Sequence, residues 1–214
     1  MALSKVNFNS LNVTPAASKA IKFNSNNNGI ETGDVGGSLV LISTQTASSS
    51  ANISFTSGID STYKEYIIKF INVHAATGSA HFQFNLSADS GSNYNVTKTT
   101  TMFRAYHKED DSATALAYSA GRDLAQGTGD QQLSSTASAD NDGNISGTLH
   151  LFDPSNTTFV KHFIARTNAV TGNAESMEYY MAGYANTTSA VDAIKFLFSS
   201  GNIDAGTFKL YGVV

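Results

Sequence analysis

The run in this chain that most resembles a ligand set is Asp140-Asn141-Asp142-Gly143-Asn144. Oxygen donors at alternate positions, Asp140, Asp142 and Asn144, are what a hard cation such as calcium takes. The pattern departs from a helix–loop–helix calcium site, because glycine stands fourth instead of sixth and Leu151 occupies the place of the bidentate glutamate. A hairpin turn accounts for the same residues, since Asp142-Gly143 suits a type I′ turn with both positions left-handed. Lys108-Glu109-Asp110-Asp111 gathers three carboxylates, which hold calcium at a loop or simply form a solvated face. A carboxylate pair flanking a bond is also the machinery of glycoside hydrolysis, with Glu109 the residue to test. His150 and His162 lie either side of Asp153–Thr157, and a hairpin there would put them on paired strands. Two imidazoles make half a zinc site, no further ligand stands out, and outward polar strand positions explain both. His74, His81 and His107 stand alone.

Nucleophilic machinery is missing from the sequence. There is no Gly-x-Ser-x-Gly elbow, no paired-histidine zinc motif on a helix and no phosphate-cradling glycine loop. With no cysteine, disulfides and thiolate chemistry are excluded together. The reading is therefore non-enzymatic, with no cofactor. Phenols are plentiful instead: Tyr94, Tyr106, Tyr118, Tyr179, Tyr180 and Tyr184. Tyrosine serves sugar and protein interfaces, and it also caps sandwich edges. Tyr179, Tyr180 and Tyr184, with the loop 119–144, form the candidate ligand-binding face, beside Asp140, Asp142 and Asn144 as candidate metal ligands.

The elements that must carry these residues are strands. Ala80–Ser87 alternates, with Phe82, Phe84 and Leu86 expected inside and His81, Gln83 and Asn85 outside. Tyr66–Val73 is apolar on both faces, as a central strand requires, and Leu39–Ile42 reads as a short buried strand. Asn52–Thr56, Thr99–His107, Gly147–Phe152, Thr158–Thr167 and Glu178–Tyr184 follow the same pattern, with Phe159, Phe163 and Ala165 expected on one face. Ala193–Ser199 and Thr207–Val214 flank SGNIDAG, and the last run, ending in Val213-Val214, is expected to be tied into a sheet. Val191, Ile194 and Leu197 fall at helical spacing, but Val, Ile and Phe enrichment favours a strand. Phe55-Thr-Ser-Gly-Ile-Asp is echoed by Phe198-Ser-Ser-Gly-Asn-Ile-Asp, which equivalent corners of a two-sheet fold would produce and chance explains as well. The count of about eight to ten short strands with no long helix predicts an all-β, antiparallel, jelly-roll-like β-sandwich over 38–214. Residues 1–37, with short apolar pieces between Asn and Ser, read as an extended N-terminal arm or a strand pair.

Composition narrows the partners. Charged residues are 14 % of the 214, against roughly 25 % in an average domain. A surface of Ser, Thr, Asn and Gly suits an extracellular or virion-surface protein, or one covered by neighbouring subunits. A net charge of −4 with scattered Lys and Arg argues against binding nucleic acid, which needs a basic stripe. No apolar run approaches the ~20 residues of a membrane-spanning helix, and MALSKVNFNSLN lacks the apolar core of a secretory signal.

Three segments carry a family likeness: LSKVNFNSLNVTPAASKAIKF, SFTSGIDSTYKEYIIKFINVHAATGSAHFQFNLSADSGSNY and NTTSAVDAIKFLFSSGNIDAGTFKLYGVV. Through them the chain resembles small virion structural proteins of tailed bacteriophages, particularly marine ones. The likeness spans most of the chain and lies in strand-and-turn texture. It implies a jelly-roll-like domain at the phage particle surface, a capsid decoration (cement) protein or a fibre component. The partners it implies are other capsid or tail proteins and further copies of the chain, with a trimer favoured. A host surface glycan is the partner of the alternative, a receptor-recognition domain of a tail fibre.

Overall fold

The computed structural model describes residues 19–23, 26, 28–34 and 38–214. Of the expected arm 1–37, residues 1–18, 24–25, 27 and 35–37 lie outside the described residues. The chain divides between Ser38 and Leu39 into two units. In the first, β1 (Lys19–Phe23) pairs antiparallel with β2 (Ile30–Asp34), so the described part of the arm is a strand pair. Lys22 and Glu31 face each other across it at 3.4 Å.

The second unit, Leu39–Val214, is built from strands alone. They are β3 (Leu39–Ser50), β4 (Ile53–Phe55), β5 (Glu65–Ala75), β6 (Phe82–Ser87), β7 (Lys98–Lys108) and β8 (Thr114–Tyr118). Then come β9 (Gln131–Gln132), β10 (Ile145–Phe152), β11 (Lys161–Thr171), β12 (Glu175–Ala185), β13 (Ala193–Phe198) and β14 (Ile203–Val213). An eight-stranded sheet has the order β3-β14-β5-β10-β11-β12-β7-β8, and a four-stranded sheet the order β4-β13-β6-β9. All pairings are antiparallel. The pairs β3·β14, β4·β13, β5·β10 and β6·β9 nest inside one another and alternate between the sheets. That nesting is a single long hairpin rolled up, the jelly roll, and it makes the body a β-sandwich. Two inserted hairpins, β7–β8 and β11–β12, join through β12·β7 and widen one sheet from four strands to eight.

Alternation in β6 buries Phe82, Phe84 and Leu86 completely. Phe82 meets Phe70 of β5 edge-to-face at 5.3 Å and stacks with Phe196 of β13 at 5.9 Å, while Phe84 meets Phe163 of β11 at 5.4 Å. This aromatic layer welds the sheets, since each such pair adds roughly 0.5–1.5 kcal/mol beyond the area it buries. The echoing segments occupy equivalent corners. Each leaves the small sheet after a buried phenylalanine (Phe55, Phe198) and enters the large one past a buried isoleucine (Ile59, Ile203). Gly58 and Gly201 turn these corners at φ +84° and +71°, the left-handed region that glycine occupies without a Cβ penalty.

Four expectations need correction. The run from Leu39 opens a strand of 12 residues at a sheet edge, and Leu39, Val40 and Leu41 are exposed because only β14 flanks them. Phe159 precedes β11 and is 70 % exposed, so it does not share the buried face of Phe163 and Ala165. Asp142-Gly143 is not a type I′ turn, since neither residue has positive φ; Gly143 N–H instead closes a turn onto Asp140 O at 2.8 Å. Asn85, expected outside, is buried under the irregular segment that carries β9. The strand preferred over a helix near Ile194 is β13, and the terminal run is β14, held between β3 and β5.

Candidate functional site

The small sheet covers one face of the large sheet. Among the described residues of the body nothing is layered on the other, and strand parity decides what stands there. In β12 the odd residues point into the core and the even ones outward. Tyr179 is accordingly buried, its hydroxyl bonded to Ser135. Tyr180 and Tyr184 point the opposite way, which removes Tyr179 from the tyrosine face expected from sequence.

On that outer face the register lines up Tyr118 (β8), Phe103 (β7), Tyr180 (β12) and Arg166 (β11), each directly opposite the next. Phe103 and Tyr180 stack in parallel, 4.8 Å between centroids and 10° between planes. The Arg166 guanidinium lies 5.2 Å from the centre of the Tyr180 ring and forms an ion pair with Glu178. Cross-strand aromatic pairs of this kind stiffen a sheet and present flat, uncharged area to a partner. Tyr118 is 54 % exposed, Phe103 42 % and Leu116, beside them on β8, 74 %. The carboxylate of Asp123 accepts the Tyr118 hydroxyl at 2.5 Å, which lowers the Asp123 pKa and raises that of the phenol.

Next to this row is a depression of about 420 Å³. Ala182 and Gly183 floor it, and Thr99, Thr101, His162, Ile164 and Tyr184 wall it. Gly183 has no room for a side chain on the core side, where a Cβ would meet Thr99 O and Thr100 Cγ2 at 2.6 Å and Phe163 Cε2 at 2.9 Å. Gln126, from the 119–144 segment, donates to Thr99 Oγ1 at 2.6 Å and to the Tyr184 hydroxyl at 3.4 Å. A second hollow of about 590 Å³ shares His162 and is rimmed by Phe152, Phe159 and Asn156.

The other sequence candidates are dispersed. Asp140 accepts from Ser138 Oγ at 3.1 Å, its carbonyl meets His74 Nε2 at 3.0 Å, and Asn144 donates to Asp142 O at 3.3 Å. Among the described residues no three His, Cys, Asp or Glu side chains converge as a metal site. His150 lies 2.6 Å from Glu65, and His162 packs 6.1 Å from the Tyr184 ring; both face outward. Asp110 accepts from Ser112 N–H at 3.0 Å, Asp111 pairs with His107 at 2.9 Å, and Glu109 sits in the same turn.

No family model, curated protein or solved structure matches this chain. The site is therefore read from its own geometry: a flat aromatic row, a shallow apolar depression beside it, and an exposed edge strand. Sequence reasoning missed Phe103, Leu116 and Arg166. Parity within β12 was available to separate Tyr179 from Tyr180, but the register that aligns four strands was not.

Proposed function

We propose that the chain is a non-enzymatic surface protein of a phage particle, a capsid decoration or fibre component. It assembles with copies of itself and with other particle proteins through the outer face of the eight-stranded sheet. The observation that carries this is the uncovered row Tyr118–Phe103–Tyr180 running to the exposed β8 edge. An apolar, weakly charged sheet face excludes few unpaired charges when a neighbour covers it, and aromatic residues and arginine are enriched in interface cores. The rolled-hairpin fold supports the reading, because capsid domains use it often. Family texture in the three quoted segments supports it independently of the face.

The test is light scattering on the purified chain together with co-sedimentation with phage particles. Concentration-dependent oligomers or particle binding, both weakened by Phe103→Ser, are expected. A strict monomer at high concentration that binds no particle refutes the reading.

A second reading, a glycan-binding receptor-recognition domain, is favoured by one observation. The depression beside Tyr184 has an aromatic rim and polar groups at its mouth, as a sugar ring requires. A glycan array without hits, with and without calcium, would remove it.

A further inference from the structure

Two lysines in the body are completely buried, Lys98 and Lys161. Their surroundings differ. Lys161 Nζ donates to two backbone carbonyls, Phe159 O at 3.0 Å and Thr187 O at 3.1 Å, which is a satisfied ammonium and nothing more. Lys98 Nζ instead donates to the side-chain carbonyl of Asn85 at 2.6 Å, with Val96 O at 2.7 Å. Asn85 is itself 2 % exposed, and its carbonyl carbon lies one C=O bond, about 1.2 Å, beyond the oxygen that Nζ touches. Its amide is fixed at both ends. Leu86 N–H donates to Oδ1 at 2.9 Å, while Nδ2 donates to Asp130 Oδ1 at 2.9 Å and to Thr128 O at 3.1 Å. One donor and two acceptors on opposite sides allow only this orientation of the carboxamide.

We propose that Lys98 and Asn85 join by an intramolecular isopeptide bond, with Asp130 as the catalytic carboxyl. The groups present suffice for the reaction. Burial holds the Lys98 amine at a pKa of about 8, against the partly offsetting pull of Asp130. Roughly a tenth of it is unprotonated at pH 7, enough for a nucleophile that never diffuses away. The Nζ lone pair attacks Asn85 Cγ and forms the new C–N bond, while the carbonyl electron pair moves onto Oδ1, where Leu86 N–H receives the developing charge. In the tetrahedral species both nitrogens are on one carbon, so the carboxyl that touches Nδ2 also reaches Nζ. Asp130 takes one proton from Nζ and delivers it to Nδ2. The Cγ–Nδ2 bond then breaks with its electron pair on nitrogen, and ammonia leaves. Nothing is oxidised or reduced, and no other reactant enters.

The consequence follows from topology. Asn85 is in β6 of the four-stranded sheet and Lys98 opens β7 of the eight-stranded one. The bond therefore staples the two sheets, in a chain without cysteine, across a separation of 13 residues.

The test is the intact mass of the full chain under denaturing conditions. The expected value is the sequence mass less one ammonia, about 17 Da. Trypsin gives a second, independent readout. No Lys or Arg lies between Phe70 and Asn95, so the cut sites that matter are Lys69, Lys98 and Arg104. A linked chain yields one peptide, 70–104, uncut at Lys98 and lighter by one ammonia; an unlinked chain yields 70–98 and 99–104. Cyclisation of another asparagine would lose the same mass but leave Lys98 cleavable, and that result overturns the proposal. So does a folded wild-type chain of full sequence mass. Lys98→Arg and Asp130→Ala are each expected to restore the full mass. Asp130 is partly exposed, so its variant is expected to fold; a persistent link in folded Asp130→Ala overturns the role given to Asp130.

Discussion

Leu116→Ser separates a residue kept for contact from one kept for stability. Leu116 sits in the middle of β8 and is 74 % exposed, so only about a quarter of its side chain is removed from water by folding. Full burial of a leucine is worth about 1.5–3 kcal/mol, and a quarter of that is about 0.4–0.8 kcal/mol. For a body of this size 1 kcal/mol moves Tm by about 2–4 °C, so the variant should melt no more than about 3 °C lower. Its effect on association should be much larger. An apolar anchor at the centre of an interface contributes about 2 kcal/mol or more, which weakens association some 30-fold. The assay is a melting curve beside a light-scattering dilution series on the same sample. A fall in Tm beyond about 8 °C would mean that something already covers Leu116 in the isolated chain. Unchanged association and unchanged particle binding would mean that the outer face is not used.

Other consequences can be measured on the same protein. Phe82→Ala removes the ring that meets Phe70, Phe196, Phe198 and Phe208, and it should cost about 3–5 kcal/mol in urea unfolding, with the denaturant slope unchanged. Gly201→Ala places a Cβ at φ +71° against Thr77 and should cost about 1–3 kcal/mol, whereas Gly129→Ala, with open space around it, should cost less than about 1 kcal/mol. The carboxyls of Asp60, Asp89, Asp110, Asp123 and Asp153 are held below their ordinary 3.8 by native hydrogen bonds, chiefly from Thr62, Asn93, Ser112, Tyr118 and Asn156 respectively. The unfolded chain binds more protons as acid is added, so these five carboxyls leave stability level above about pH 5 and lower it steadily below pH 4, while His81, held by burial below its ordinary 6.5, lowers it as pH falls through that value. A free Lys98 amine, at about 8 folded against 10.5 unfolded, would add a rise of stability with pH between those values to the one from Lys161, whose amine burial also lowers; a linked Lys98 cannot titrate, and its share of the rise should be absent. If the depression binds sugar, Tyr184→Ala should weaken glycan capture at least tenfold, while Tyr179→Phe should leave it unchanged.

Much of the fold was readable because its strands alternate. Phe82, Phe84 and Leu86 announced their common face, whereas the echo of Phe55 in Phe198 was open in sequence between equivalent corners and chance. Errors arose where burial is set by neighbours. The apolar run from Leu39 looked like core, but its place at a sheet edge depends on pairing with β14, more than 150 residues later. Asn85 looked exposed because it alternates with phenylalanine; it is covered by a segment around Thr128 and Asp130 that the sequence shows only as loop. The aromatic row was illegible for the same reason. Tyr118, Phe103 and Tyr180 come from three strands, and only the register β8·β7·β12 makes them neighbours.

The nested pairing of the body also dictates an order of events during synthesis. The innermost pair, β6·β9, can form as soon as residues near Gln132 have left the ribosome, but the outermost, β3·β14, must wait for Ile203–Val213. Until then β3 has no sheet partner, and β5 lacks its neighbour on one side, so β14 is inserted last, into the gap between two strands already made. A growing chain thus carries unpaired strand edges on β3 and β5 for the whole time that residues 76–202 are being added. Strand edges recruit other strands, and contacts this distant in sequence form slowly. Crowded polysomes making this protein should therefore be exposed to β14 of one chain completing the sheet of another, an exchange that the finished fold, with β14 enclosed on both sides, no longer permits.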